Sequence, residues 1–188
     1  MLVEHIKSEI EGERQVLLIY PLVEESEMMD YQSIAEARTY WEKNFDDVYV
    51  THGKDKNKEE VLLEFRERGK ILVATTVVEV GISLPKLSTI VIVGAERLGL
   101  SSLHQLRGRV SRTGLKGYCY LFTNSEKSKR LDEFCNTTNG FDIAQLDLKF
   151  RQSGDLLTGI NQSGKKFKWL NIGEDVKVVQ DVKKHLGI

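Results

Sequence analysis

Residues 56–74, KNKEEVLLEFRERGKILVA, carry two different periodicities in one short run. Val61, Leu62 and Phe65 recur at helical spacing in an otherwise charged segment, which predicts a helix with a single apolar stripe. Gly69 is its expected stop. Ile71-Leu72-Val73-Ala74 then follow without a polar break, as in a strand buried on both faces. The same strand signature appears on either side, at Val16-Leu17-Leu18-Ile19-Tyr20, Val48-Tyr49-Val50, Ile90-Val91-Ile92-Val93 and Tyr118-Cys119-Tyr120-Leu121-Phe122. Tyr31, Ile34, Arg38, Trp41 and Phe45 again follow helical spacing, with Trp41 on the stripe expected to face the core. Strand and helix alternate, which predicts an α/β doubly wound domain: a parallel sheet with right-handed crossovers and helices on its faces.

The texture changes near residue 124. Strand signals stop, whereas helical spacing continues at Ile143, Leu146 and Phe150, and at Val176, Val179, Val182 and Leu186. This predicts a boundary there, with residues 1–124 forming the α/β lobe and 125–188 a mainly helical appendage. Residues 151–168 are rich in Gly, Ser and Asn and are expected to form a loop.

The whole chain has 188 residues, with 27 Lys plus Arg against 28 Asp plus Glu, so a uniformly basic coat for nucleic acid is excluded. The near-balance hides an uneven distribution. Residues 97–130 hold Arg97, Arg107, Arg109, Arg112, Lys116, Lys127, Lys129 and Arg130 against the single acid Glu126, a charge of +7; the remainder carries -8. A second cluster, Lys165-Lys166-Phe167-Lys168-Trp169, interleaves cations with aromatic rings, which suits backbone and base contact as well as a solvated face. No apolar run approaches the roughly 18 residues of a spanning helix, and the first residues lack an apolar signal core. Cys119 and Cys135 make neither a metal cluster nor a disulfide framework; Cys119 is expected in the core, and a reducing cytoplasm is the expected location. His5 and His185 stand alone and are expected to be solvated.

Two constellations carry chemistry. In His104-Gln105-Leu106-Arg107-Gly108-Arg109-Val110-Ser111-Arg112, a helical segment would place Gln105, Arg109 and Arg112 on one face. Guanidinium forks match phosphate oxygens and can neutralise charge developing on a transferred phosphoryl group. In Ala74-Thr75-Thr76-Val77-Val78-Glu79-Val80-Gly81-Ile82-Ser83-Leu84-Pro85, two threonines stand at the carboxyl end of a strand, where ligands of doubly wound sheets collect. Their hydroxyls and amides suit a phosphate, and Gly81 permits close backbone approach.

In this order, ATTVVEVGISLP and AERLGLSSLHQLRGRVSR resemble motifs V and VI of superfamily 2 helicases, and QVLLIYPLVEESE resembles motif IV. The pattern is most similar to the RecG family of branched-DNA helicases, whose motif VI region reads ERFGL and then HQLRGRVGRG. Asn139-Gly140-Phe141-Asp142-Ile143-Ala144 and residues 151–164 resemble that family's helical hairpin and hook. The transcription-repair coupling translocases share both regions but usually carry Tyr where His104 stands.

The resemblance implies a RecA-like second motor lobe, of the P-loop NTPase type but without the P-loop, followed by the hairpin and hook. It implies arginine fingers at Arg109 and Arg112, and nucleotide contacts at Gln105, Glu79, Gly81 and Ser83. DNA contacts are implied at Thr75, Thr76, His52, Arg130, Arg151 and Gln162. The implied partners are branched or duplex DNA, with an N-terminal helicase lobe and a DNA-recognition domain of the same parent chain. ATP and Mg²⁺ would be bound mainly by that first lobe. Three positions depart from the family: Ser83 replaces an Asp associated with the ribose, Ser111 replaces a Gly, and Asn161 replaces an Arg of the hook.

The first lobe itself is not in the sequence. Residues 159–166 approximate a phosphate loop, but Lys166 stands where a Ser or Thr hydroxyl must hold Mg²⁺. Asp132-Glu133 mimic an acidic Mg²⁺ box without the strand that should precede one. The chain by itself is therefore not expected to hydrolyse ATP at a motor's rate. The expected function is the second lobe of a RecG-type helicase; a stand-alone nucleic-acid-binding lobe and a piece of a transcription-repair translocase are the alternatives.

Overall fold

The computed structural model describes residues 1–21, 33–75, 83–110, 114, 116–124 and 127–158, the last eight as backbone only. They fall into two compact units, Met1–Ser128 and Lys129–Ile188.

The first unit is built on a parallel sheet of five strands: β1 Gln15–Tyr20, β2 Val48–Thr51, β3 Ile71–Thr75, β4 Leu87–Val93 and β5 Tyr118–Phe122. Their order is β2-β3-β1-β4-β5. Each apolar run anticipated as a strand is one. β1 and β3 are buried along their whole length, whereas the edge strands β2 and β5 are mostly half-exposed. Cys119, on edge strand β5, is accordingly only half-buried and not a core residue.

Alternation along the strands divides the apolar residues between two faces. Val16, Leu18, Tyr20, Ile71, Val73 and Val91 form one cluster with Ile6 of α1 (Leu2–Glu11) and with Ile34, Ala37 and Trp41 of α2 (Ile34–Asn44). Leu17, Ile19, Leu72, Ile90 and Ile92 fall to the other face, where right-handed crossovers place α3 (Lys58–Arg68) and α4 (Leu100–Arg107). Helix α2 starts where its sequence says it should: Ser33 Oγ accepts from Glu36 N–H at 3.3 Å, and the Glu36 carboxylate accepts from Ser33 N–H at 2.8 Å. Ala37, rather than Arg38, completes its buried stripe, and exposed Arg38 pairs with Glu42 at 2.7 Å.

Helix α1 is an element that the sequence reading did not anticipate. Its His5 is not solvated and alone. The ring bonds Thr89 Oγ1 of β4 at 3.0 Å and packs edge-on against Tyr118 of β5, with centroids 4.4 Å apart.

At the amino-terminal end of the sheet, Gln15 joins β1 to α3. Its side-chain amide donates to the carbonyls of Phe65 at 2.6 Å and Gly69 at 2.9 Å, and the Phe65 carbonyl also accepts from Gly69 N–H at 2.9 Å. Gly69 does end α3, but with φ -71 rather than a left-handed conformation. A Cβ there would lie 2.8 Å from Phe65 Cα and 2.9 Å from Tyr49, so close approach, not backbone freedom, requires the glycine.

The second unit begins later than residue 124, with α5 Lys129–Cys135 followed by α6 Gly140–Thr158. Leu131 and Phe134 of α5 and Ile143 of α6 are buried. Lys149 reaches Glu133 at 3.4 Å, and Asn139 Oδ1 accepts from Phe141 N–H at 2.9 Å where α6 begins. Residues 151–158, expected as a loop, continue α6: an established helix propagates through Ser153 and Gly154 at a cost of about 1 kcal/mol for the glycine. The remaining loop and the Val176 to Leu186 spacing lie outside the described residues. Asp132 and Glu133 are helical, so they do not end a strand as an acidic Mg²⁺ box would.

Candidate functional site

Connections leave the carboxyl ends of β1 and β4 in opposite directions, β1 towards β2 and β4 towards β5. The crevice of a doubly wound sheet opens at such a reversal, outside the carboxyl ends of the strands. The site is therefore built from those ends and from the segments leaving them.

On one side stand β2, β3 and β1. Thr51 is in register with Ala74, and Tyr20 with Thr75, which brings His52, Thr75 and Tyr20 to adjacent positions along the edge. Thr75 is only 5% exposed, whereas His52 is half-exposed with Nδ1 buried. The Tyr20 hydroxyl accepts from Trp41 Nε1 at 3.1 Å. Burial pushes its pKa above the ordinary tyrosine value, and the Trp41 bond only partly offsets this. Trp41, expected in the core, is there at 6% exposure.

The turn after β2 is closed by Asp55. Its carboxylate accepts from Thr51 Oγ1 at 3.1 Å and from Asn57 N–H at 3.0 Å, and its own N–H donates to the His52 carbonyl at 3.1 Å. Sequence reading passed over this residue. The signal was available: an Asp three residues before a helix start commonly folds its carboxylate back onto the chain N–H two residues on.

On the other side, Gly94 follows β4 with φ 68, a left-handed conformation that turns the chain through a 3-10 turn, Ala95–Arg97, into α4. Leu100, Leu103 and Leu106 anchor α4 by its buried face. Gln105 is exposed, and Arg107 lies within 3.4 Å of His104 Nδ1. The helix ends at Arg107, which corrects the shared helical face expected for Gln105 and Arg109. Gly108, a poor helix former, caps it. Arg109 is held in the next turn by its N–H to the Leu106 carbonyl at 3.1 Å, with its side chain half-buried. Lys116 continues the basic run, its ammonium 5.2 Å from the centre of the Tyr118 ring. Ser83 is exposed just ahead of β4.

Arg130 is the second residue of α5 in the second unit, and Arg151 lies within α6. Thr76, Glu79, Gly81, Arg112 and Gln162 lie outside the described residues, as do Ser111 and Asn161. Among the described residues, no three or more His, Cys, Asp or Glu side chains are grouped to hold a metal ion, and no helix is long and apolar enough to cross a membrane.

A five-stranded parallel sheet in this order, with an arginine-bearing turn between α4 and β5, defines a RecA-like helicase lobe of the carboxyl-terminal kind. The chain belongs to the helicase conserved C-terminal domain family, whose sequence profile matches residues 1–114. It is 54% identical over 184 residues to the ATP-dependent DNA helicase RecG of Helicobacter pylori, covering 98% of this chain and 30% of that protein. A structure of RecG bound to a three-way DNA junction superposes with a TM-score of 0.70 at 36% identity, covering 95% of this chain and 24% of that one. The helicase domain of Pyrococcus furiosus Hef, at 16% identity, a TM-score of 0.51 and coverage of 72% and 27%, shares the fold alone. The chain thus spans less than a third of the length of the curated relatives it matches.

Proposed function

We propose that this chain is the second motor lobe, with its helical appendage, of a RecG-type ATP-dependent DNA helicase acting on branched DNA. The observation that carries this reading is the 98% coverage of the chain by its match to the Helicobacter pylori RecG, which continues past the helicase lobe through α5 and α6. In this role Arg109 and Arg112 meet the γ-phosphate charge of ATP held mainly, with Mg²⁺, by the first lobe of the parent. What supports the finger reading is that Arg109 stands in the turn that follows α4, held by its N–H to the Leu106 carbonyl at 3.1 Å. Gln105, Glu79, Gly81 and Ser83 adjoin the nucleotide. His52, Thr75 and Thr76 approach a DNA backbone, and Arg130, Arg151 and Gln162 link the appendage to it. The machinery works in the cytoplasm.

Two measurements test this. In the full-length parent, Arg112→Ala is expected to lower DNA-stimulated ATP turnover about a thousandfold or more while sparing DNA binding; unchanged turnover sinks the finger assignment. The 188-residue chain alone is expected to bind DNA without turning over ATP at a motor's rate. Robust DNA-stimulated hydrolysis by it would refute the division of labour.

A further inference from the structure

We propose that the turn between β2 and α3 is a preformed phosphate clip, in which Lys54 and Lys56 each contact a DNA phosphate and Asp55 is the positioning residue that presents them. This rests on the DNA-facing reading of the carboxyl edge and extends it to side chains to which no contact was assigned above. In the bare sequence His52-Gly53-Lys54-Asp55-Lys56-Asn57-Lys58, a carboxylate between two lysines would cancel their charge. In the fold it does not stand between them. Both Asp55 oxygens are used internally, by Thr51 Oγ1 and by Asn57 N–H, and the Asp55 carbonyl accepts from Lys58 N–H at 3.4 Å. The turn is thereby closed on itself, leaving Lys54 and Lys56 exposed, and neither makes an ion pair among the described residues. The nearest acids along the chain, Glu59 and Glu60, lie in the first turn of α3, where they complement its amino-terminal dipole.

Position supplies the second argument. The turn leaves β2 at His52, beside Thr75 at the end of β3, so Lys54 and Lys56 are carried on the turn that adjoins the edge where a DNA backbone is proposed to run. A turn already ordered by its own hydrogen bonds avoids much of the entropy cost of fixing a loop on binding.

The test is binding of a fluorescent forked DNA by the whole chain across about 50 to 200 mM salt. The unmodified chain is expected to bind with a steep dependence of log K on log salt. Lys54→Ala/Lys56→Ala, at two exposed positions outside the core, is expected to make that slope shallower by about two units. An unchanged slope in a variant that still binds overturns the clip alone. No binding by the unmodified chain overturns both the clip and the reading beneath it. Asp55→Asn and Asp55→Ala remove the same charge, but only Asn keeps an oxygen for Asn57 N–H. Asp55→Asn is expected to keep the parental slope and Asp55→Ala to lose at least one unit. Equal slopes for the two overturn the positioning role of Asp55.

Discussion

Tyr20 shows how one side chain serves both core and edge. Its ring belongs to the buried cluster beneath α1 and α2, while its hydroxyl accepts from Trp41 at 3.1 Å beneath the carboxyl end of the sheet. Tyr20→Phe leaves Trp41 Nε1 without that acceptor and is expected to cost on the order of 1–3 kcal/mol at neutral pH, read by urea unfolding. The pH dependence follows from the raised pKa, which burial causes first and the Trp41 bond only moderates. The neutral phenol is favoured in the folded state. Its contribution is complete below the unfolded value near 10 and is lost as pH rises through the higher folded value. The variant should therefore lose stability less steeply than the parent above about pH 10; parallel curves would remove Tyr20 from the account. The role of Trp41 was legible in its spacing. That of His5 was not, because its partners Thr89 and Tyr118 come from strands far along the chain.

At the scale of elements, apolar continuity revealed all the strands of the sheet, since a parallel strand must present hydrophobic side chains on both faces. Helix ends were less visible. Helix α4 stops at Arg107 because Gly108 interrupts it, and α6 runs on through a Ser-Gly pair because a helix already formed extends cheaply. Composition points the same way in both places, and tertiary context decides differently. Helix α1 escaped notice since its few apolar residues, Leu2, Val3, Ile6 and Ile10, are diluted by charge. The staple by Gln15 has no sequence signature at all, because its acceptors lie about 50 residues away, at the end of α3. Gln15→Leu keeps the bulk and removes the donor. It is expected to cost about 1–3 kcal/mol with an unchanged urea m-value, and to speed amide exchange in the last turn of α3. Unaltered stability would show that the Gln15 staple adds nothing to the fold.

For the whole molecule, the division into Met1–Ser128 and Lys129–Ile188 makes a direct prediction. A chain ending at Ser128 retains the entire sheet and α1 to α4 and should unfold in one cooperative transition. Non-cooperative melting of that fragment would mean that the lobe depends on α5 and α6. The boundary read near residue 124 falls between β5 and α5, because strand texture ends with β5.

Strand order has a further consequence, in time rather than in space. The central strand β1 is among the first pieces of the lobe to be synthesised, yet neither neighbour exists when it emerges: β3 follows after α2, β2 and α3, and β4 later still. Six consecutive residues destined for complete burial must wait on the ribosome without a partner. Such non-local pairing slows folding and leaves an aggregation-prone strand uncovered. The α2 and α3 segments between β1 and its partners are strongly charged, so the waiting chain carries its own solubilising spacer until the sheet can close.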